Sequence, residues 1–427
     1  MHRGCKLCSH AVVPGVLDDR RCPCEGYQDI FATTTALGRG GCSKLKGWRG
    51  NLKDHVLITG GAGFIGSRLA RRLLHGGYEV SVLDNFSPQI HGNNTELPTD
   101  LRAEVQLFRG DVRDASLCAR ALNGQQVLVH LAAETGTGQS MYQVRHYTDV
   151  NIGATATLME LLLAGKDQMR SMVVASSRSI YGEGAAKCPQ HGAVYPYARS
   201  KEDMQAGEFE PKCPVCGNPT SMLPTAEQAP FRPSSLYGLS KQVQEQMTLM
   251  YAATLGINGF ALRYQNVYGP GQSLKNPYTG ILAIFSNQAR ANEPIYIFED
   301  GQESRDFVYV DDVVEATIRA LEAPPQRPAA LNVGTGLAVT VAEVVRHILA
   351  YYSSSSPVAV TGAFREGDIR HNCADISKLR ETLDFVPGCQ FETGLKEFLA
   401  WASGQQLGER TYEQSLAEMR EKGLMHG

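Results

Sequence analysis

The segment Thr59-Gly60-Gly61-Ala62-Gly63-Phe64-Ile65-Gly66 follows a short apolar run at residues 55–58 and opens an amphipathic one at residues 67–75. Nothing else in the chain constrains the fold as much. A glycine turn joining a strand to a helix belongs to the crossover unit of a parallel sheet. Gly60 permits the tight turn, Gly63 lets the backbone approach a pyrophosphate, and Gly66 allows helix and strand to pack closely. Phe64 and Ile65 fall at the helix start, within reach of the same dinucleotide. The next strand, over residues 79–83, runs into Asp84 and Asn85, and Asp84 lies 24 residues after Gly60. A carboxylate there takes adenosine ribose hydroxyls and repels a 2'-phosphate, which favours NAD over NADP. A glycine turn alone is weak evidence, but strand, turn, helix, strand and acid in register are specific.

From His55 onward short apolar runs alternate with amphipathic ones. Further strands are expected at residues 105–108, 127–131, 172–175 and 257–262, and helices at 150–163 and 237–251. This pattern predicts a Rossmann-type doubly wound α/β fold, a parallel sheet covered by helices. The dinucleotide-binding domain is expected over residues 54–262, interrupted at 183–230 by an aperiodic Gly-, Pro- and Cys-containing insertion that needs support of its own. After Arg263 the pattern turns mixed, with short strands at 295–298, 307–310 and 331–333. A smaller mixed α/β substrate-binding lobe over 263–403 follows, then a tail at 404–427. Residues 1–53 lack either periodicity and read as an irregular extension. Its Cys5-x-x-Cys8 pair has metal-ligand spacing, but Cys22-Pro23-Cys24 is too tight for a zinc knuckle.

Composition narrows the function classes. Lys and Arg number 41 against 44 Asp and Glu, for a net charge of -3. No basic field is available for nucleic acid. No apolar stretch approaches a membrane span. The 11 cysteines are scattered through a long, enzyme-like chain, which fits a reducing, cytoplasmic location better than a disulfide scaffold.

Tyr237 and Lys241 stand four residues apart on one predicted helix face, where an ammonium lowers a phenol's pKa from about 10 towards working pH and makes it a usable base. Ser177 follows a predicted strand, at the sheet edge where parallel α/β proteins bind ligands. In the insertion, Cys188-x-x-His191 and Cys213-x-x-Cys216 form two close ligand pairs, enough for one structural tetrahedral zinc.

These residues, taken with Gly110-Asp111-Val112, Leu131-Ala132-Ala133, Asn151-Ile152-Gly153, Tyr181-Gly182, Arg263-Tyr264-Gln265-Asn266, Arg305-Asp306-Phe307 and Gly367-Asp368-Ile369-Arg370, resemble the extended short-chain dehydrogenase/reductases that epimerise or dehydrate nucleotide sugars. The resemblance runs from about residue 55 to 401. It implies that Asp111 and Val112 line the adenine, that Leu131, Ala132 and Ala133 approach the pyrophosphate, and that Asn151 serves the cofactor site. It also implies that Tyr264 lies beside the nicotinamide and that Ser177, Tyr237 and Lys241 carry the chemistry. Asn266, Arg305, Arg365 and Asp368 would hold the substrate's nucleoside diphosphate, and guanidinium groups suit that anion. A homodimer through the helices after Val150 and Tyr237 is a further implication.

Members of such a family that eliminate water or carbon dioxide carry carboxylates at the two places held here by Arg178 and Ser179. Without them reversible oxidation remains, and with it 4-epimerisation. The insertion, the run Ser177 to Gly184 and Gly136-Thr137-Gly138-Gln139-Ser140-Met141-Tyr142 resemble the branch acting on dTDP-L-rhamnose, giving dTDP-6-deoxy-L-talose. UDP-glucose or UDP-glucuronate epimerisation and keto-sugar reduction are the alternatives.

Overall fold

The computed structural model describes residues 54–165, 168–274, 280–406 and 411–427. The extension at 1–53, with its cysteine pairs, lies outside them. Seven strands, β1 His55–Thr59, β2 Glu79–Asp84, β3 Val105–Arg109, β4 Val127–His130, β5 Ser171–Ser177, β6 Asn258–Tyr264 and β7 Ala329–Val333, form one sheet. Every pairing is parallel and the order is β7-β6-β5-β4-β1-β2-β3. This is the doubly wound arrangement. The order reverses beside β1, which sets the ligand crevice at the carboxyl ends of the central strands.

A sheet covered on both faces needs strands apolar on both. On β1, Val56 and Ile58 pack with Leu69 of helix α1 (Phe64–His75), while Leu57 packs with Leu117 of α2 (Ala115–Leu122) and Leu158 of α3 (Ala154–Ala164). Helix α4 (Leu236–Leu255) lies against β5, on the face of α3, and α5 (Val310–Glu322) lies beside α1.

Several elements differ from expectation. Helix α1 begins at Phe64 rather than residue 67, because Gly63 in extended backbone is already the residue before its first turn. A π-helical turn, Thr148–Gly153, precedes α3, so the regular helix starts only at Ala154. The strand expected in the smaller lobe at 331–333 instead joins the main sheet as β7, Leu331 pairing with Leu262. Its physical reason is burial on both faces, since Leu331 and Val333 are fully enclosed in the large core.

The smaller lobe has its own core, in which Phe285, Ile297, Phe307, Val344 and Phe398 meet. A mixed sheet of Asn266–Tyr268, Ser304–Tyr309 and Ala338–Thr340 forms its floor. The insertion folds into a three-stranded antiparallel sheet of Ala186–Cys188, Gly192–Val194 and Ser221–Met222. The tail is also ordered: helix Thr411–Glu421 is followed by strand Met425–His426, antiparallel to Phe364–Arg365. Among the described residues no helix is long and apolar enough to cross a membrane.

Candidate active site

Two cavities open at the carboxyl edge of the sheet. The larger, of about 650 Å³, lies over β1, β2 and β4. Its floor is the glycine turn. Gly60 has φ +70°, and a Cβ there would come within 2.8 Å of the Ala132 nitrogen. At Gly66 a Cβ would press to 2.4 Å on the Gly60 carbonyl oxygen, so α1 sits closer to the turn than any side chain allows. No side chain caps α1. Its first-turn N–H groups therefore offer themselves to an anion, and a pyrophosphate is the acceptor such a cradle fits.

Gly63, Phe64, Ile65, Asn85, Val112, Leu131, Ala133 and Tyr264 line the same cavity. So do Asp84 and Asp111. Asp84 is buried, its carboxylate taking the Ala62 N–H at 2.9 Å and the Phe86 N–H at 2.8 Å. Arg113, paired at 2.9 Å, brings the Asp111 carboxyl down to about 2. Asn151 is the exception among the expected cofactor residues. It is fully buried off the cavity, accepting from the Glu134 N–H at 2.8 Å and donating to the Ser240 hydroxyl at 2.9 Å. It ties the loop after Ala133 to α4.

The second cavity, of about 320 Å³, lies between the sheet edge and the smaller lobe. Asn266, Arg305, Arg365 and Asp368 line it, with Arg178 and Ser179. Thr135, Ser177, Tyr237, Gln265, Val267 and Gln272 line both cavities. A hydroxyl pair thus stands where the two spaces meet.

Ser177 ends strand β5, and Tyr237 is carried by helix α4. Ser235 caps it by accepting the Gly238 N–H at 3.2 Å, and the Tyr237 N–H donates to the Ser140 hydroxyl at 3.0 Å. Burial raises the phenol's pKa, while the Ser177 hydroxyl and the Arg178 charge act to lower it. Lys241, one turn on, is brought down to about 7 by burial, and its ammonium donates to Gln244 Oε1 at 2.6 Å. Gln244 Nε2 contacts His130 Nε2 at 2.8 Å, and burial followed by the Lys241 charge drops that imidazole to about 3. The neutral ring therefore accepts from Gln244 and its Nδ1–H donates to Thr59 Oγ1 at 2.7 Å. Beneath them Glu245 joins the Ser176 hydroxyl at 2.5 Å and Arg263 at 2.5 Å, locking α4 to the ends of β5 and β6.

In the second cavity Arg305 donates to Asp368 at 3.1 Å and to the carbonyls of Ile369 and Arg370 at 2.9 and 3.0 Å. Against the effect of burial, Arg305 and Arg365 hold the Asp368 carboxyl below its usual range. Arg365 stacks on Phe298 with its centre 4.7 Å from the ring, and its buried Nε has no partner among the described residues. Burial, with Arg305 nearby, brings the Arg178 guanidinium down to about 10. The sequence marks Arg178 only as a non-carboxylate and does not single out Gln244 or Tyr412 of the tail, both at the site. Gln244 stands three residues after Lys241 on the same helix face, a signal available in the spacing; Tyr412 had none.

In the insertion, Cys188, His191, Cys213 and Cys216 bring their ligand atoms within 4.8 Å of one another. None of these cysteines is in a disulfide.

The model of the NAD dependent epimerase/dehydratase family matches residues 56–205 and 213–334. A dTDP-L-rhamnose 4-epimerase of Burkholderia thailandensis is 37% identical over 81% of this chain and 94% of its own. A UDP-glucose 4-epimerase of Mycolicibacterium smegmatis is 30% identical over 80% of this chain and 96% of its own. The solved structure of MoeE5 in complex with UDP-glucuronic acid and NAD superposes with a TM-score of 0.66 at 29% identity, covering 82% of this chain and 99% of that one.

Proposed function

Because this chain belongs to the NAD dependent epimerase/dehydratase family and is an NAD-dependent nucleotide-sugar 4-epimerase, we propose that its substrate is dTDP-L-rhamnose and its product dTDP-6-deoxy-L-talose. The observation that carries the mechanism is the placing of Ser177 and Tyr237 on the wall common to both cavities. The larger cavity would hold the cofactor, the uncapped start of α1 receiving its pyrophosphate and Asp84 its adenosine ribose. NAD supplies reversible hydride exchange at the sugar's C4.

Tyr237 takes the proton of the C4 hydroxyl and later returns it. Ser177 steadies the same oxygen by hydrogen bonding, and Lys241 with Arg178 supplies positive charge that favours the phenolate. Arg178 and Ser179 offer no carboxylate for removing a neighbouring proton or carboxyl group, so the 4-keto sugar has one course, reduction on its other face. That requires the sugar to turn. Arg365, Asn266 and the Arg305–Asp368 pair hold the nucleoside diphosphate while the sugar stays loosely held.

The choice of dTDP-L-rhamnose rests on the relative from Burkholderia thailandensis. UDP-glucose and UDP-glucuronate remain the second reading, favoured by the relative from Mycolicibacterium smegmatis and the MoeE5 complex. NMR of the purified enzyme with each of the three sugars, in separate tubes, decides among them. The expected result is conversion of dTDP-L-rhamnose without added reductant, with NAD rather than NADP released on denaturation. Turnover of a UDP sugar alone overturns the substrate assignment, and consumption of one NADPH per product makes the enzyme a reductase. Two further features belong to this reading: one structural zinc on the Cys188/His191/Cys213/Cys216 quartet, and a homodimer supported by the exposed Leu239 and Met250 of α4.

A further inference from the structure

The insertion stands beside the chemistry without entering it, and two observations together give it a task. The first is the geometry of its four ligand atoms. Cys188 Sγ lies 3.5 Å from His191 Nδ1 and 3.6 Å from Cys216 Sγ, and Cys213 Sγ lies 3.6 Å from His191 Nδ1. Metal bonds of about 2.0 to 2.3 Å make tetrahedral ligand edges of about 3.3 to 3.8 Å, and these three of the six spacings match such edges. The Gln190 N–H donates to Cys188 Sγ at 3.4 Å, as it would to a metal-bound thiolate. Apart from the ligand cysteines, this corner has only Ala186 and Val194 as core. Three thiolates and one imidazole select zinc.

The second observation is where the chain goes on leaving the site. Three residues before Cys213, Glu210 pairs with Arg370 at 2.8 Å and with His371 at 3.1 Å. Arg199, in the same insertion, donates to Glu299 at 2.8 Å and to the Asp368 carbonyl at 3.1 Å. Glu183, at the insertion's start, accepts from Arg199 at 3.0 Å and from the Arg370 N–H at 2.8 Å. Arg370 is 1% exposed and is the largest fully buried side chain among the described residues. The segment 365–371 is thus held from one side by Arg305 and from the other by the insertion. Arg365 and Asp368 of that segment line the second cavity.

We infer that a zinc ion at Cys188, His191, Cys213 and Cys216 sets the affinity of the second cavity for nucleoside diphosphate, acting through Glu210 and Arg199 as positioning residues for the segment that carries Arg365 and Asp368. The inference rests on the reading of that cavity as the nucleotide-sugar site. It assigns the metal no part in the hydride or proton steps. An ion outside the reaction space acts by fixing the chain that leads to Glu210, which shares the buried Arg370 guanidinium with Glu299 and Asp300, so that displacing Glu210 lets the segment shift.

The test uses the full-length enzyme with its bound NAD. Elemental analysis is expected to find about one zinc per chain, and Cys213→Ser is expected to lose it. Calorimetry with dTDP and with UDP should then show the preferred diphosphate binding about tenfold more weakly, the loss expected when a charged contact is displaced. Released NAD should be unchanged, which marks the main sheet as folded. Glu210→Gln should keep its zinc and raise KM for the nucleotide sugar several-fold with kcat nearly unchanged, whereas Glu210→Asp should recover part of the loss. Zinc-free parent protein, or Cys213→Ser that retains its zinc, overturns the metal site. Metal loss with unaltered diphosphate affinity, or a Glu210→Gln variant whose kcat falls with KM unmoved, overturns the coupling. A parent that binds zinc but neither diphosphate overturns the nucleotide-sugar reading and the coupling together, while the zinc count stands.

Discussion

Burial raises the Tyr237 phenol and brings the Lys241 ammonium down to about 7, the Ser177 hydroxyl and the Arg178 charge pull the phenol back, and Tyr237 is the titratable group among the residues that line both cavities. Tyr237→Phe should therefore lower kcat at least about a hundredfold, the low end of general-base effects, while nucleotide binding persists. Near-normal turnover by that variant would take the tyrosine out of the mechanism. Glu303 gives a prediction of a different kind. Burial pushes its carboxyl up to about 7 from the ordinary 4.5, and its Oε2 has no hydrogen-bond partner among the described residues. Between those two values the folded protein binds a proton that the unfolded chain has released, so this contribution to stability is complete below 4.5 and is lost as pH rises through 7. Glu303→Gln should accordingly flatten the fall in stability of substrate-free enzyme between pH 5 and pH 8, by about 1 to 3 kcal/mol. Urea melts at several pH values measure it, and identical slopes for both proteins would refute it. At this scale the sequence was informative where spacing carries geometry, as for Tyr237 and Lys241. It was silent on Glu303 and named Arg178 and Arg370 without their charge partners, because that chemistry depends on burial that only the assembled fold creates.

The unit β1, turn and α1 was legible to within three residues, the helix starting at Phe64 rather than 67, because each glycine answers a steric demand of the same crossover. That makes a sharp prediction. Gly66→Ala would drive a methyl to 2.4 Å from the Gly60 oxygen and 2.6 Å from the Gly61 Cα, both backbone atoms that cannot swing away. The expected cost is about 1 to 3 kcal/mol in stability, with NAD lost or sharply reduced in the purified protein. Thermal melts and the nucleotide released on denaturation report both, and a variant with full NAD content and an unshifted melt would contradict the packing argument. The main strands were readable for a related reason, since burial on both faces leaves unbroken apolar runs. The insertion and the tail were not readable. Their strands are two or three residues long, too short for a period to show, and Ser221–Met222 and Met425–His426 pair with strands distant in the chain. His426 contacts Glu366 at 2.7 Å and Tyr142 donates to Glu418 at 2.9 Å, pairings that no local pattern announces.

Across the whole molecule the site belongs to no single lobe. The sheet edge supplies Ser177 and Tyr237, the smaller lobe supplies Arg305, and the segment bearing Arg365 and Asp368 runs between the insertion and the tail. Epimerisation asks for this division. A keto sugar that shows both faces to one cofactor cannot be gripped tightly, so most of the binding must fall on the nucleoside diphosphate. The two arginines placed there are not equivalent. Arg305 is committed to Asp368 and to the carbonyls of residues 369 and 370, and holds the wall as much as the ligand. Arg365 stacks on Phe298, and its buried Nε has no partner among the described residues. Arg365→Ala should weaken binding of the preferred diphosphate by roughly 1.5 to 3 kcal/mol, the size of a charged hydrogen bond. Arg305→Ala should cost at least as much, because it also releases Asp368 and leaves buried carbonyls without a donor. Bare diphosphate should weaken in step with the full nucleotide sugar, and free sugar should bind poorly to parent and variants alike. Calorimetry with dTDP and UDP measures these differences and the base preference together. If both variants bind the diphosphates as the parent does, the clamp is elsewhere; if free sugar binds well, the sugar is not loosely held, and epimerisation by turning within the site fails with it.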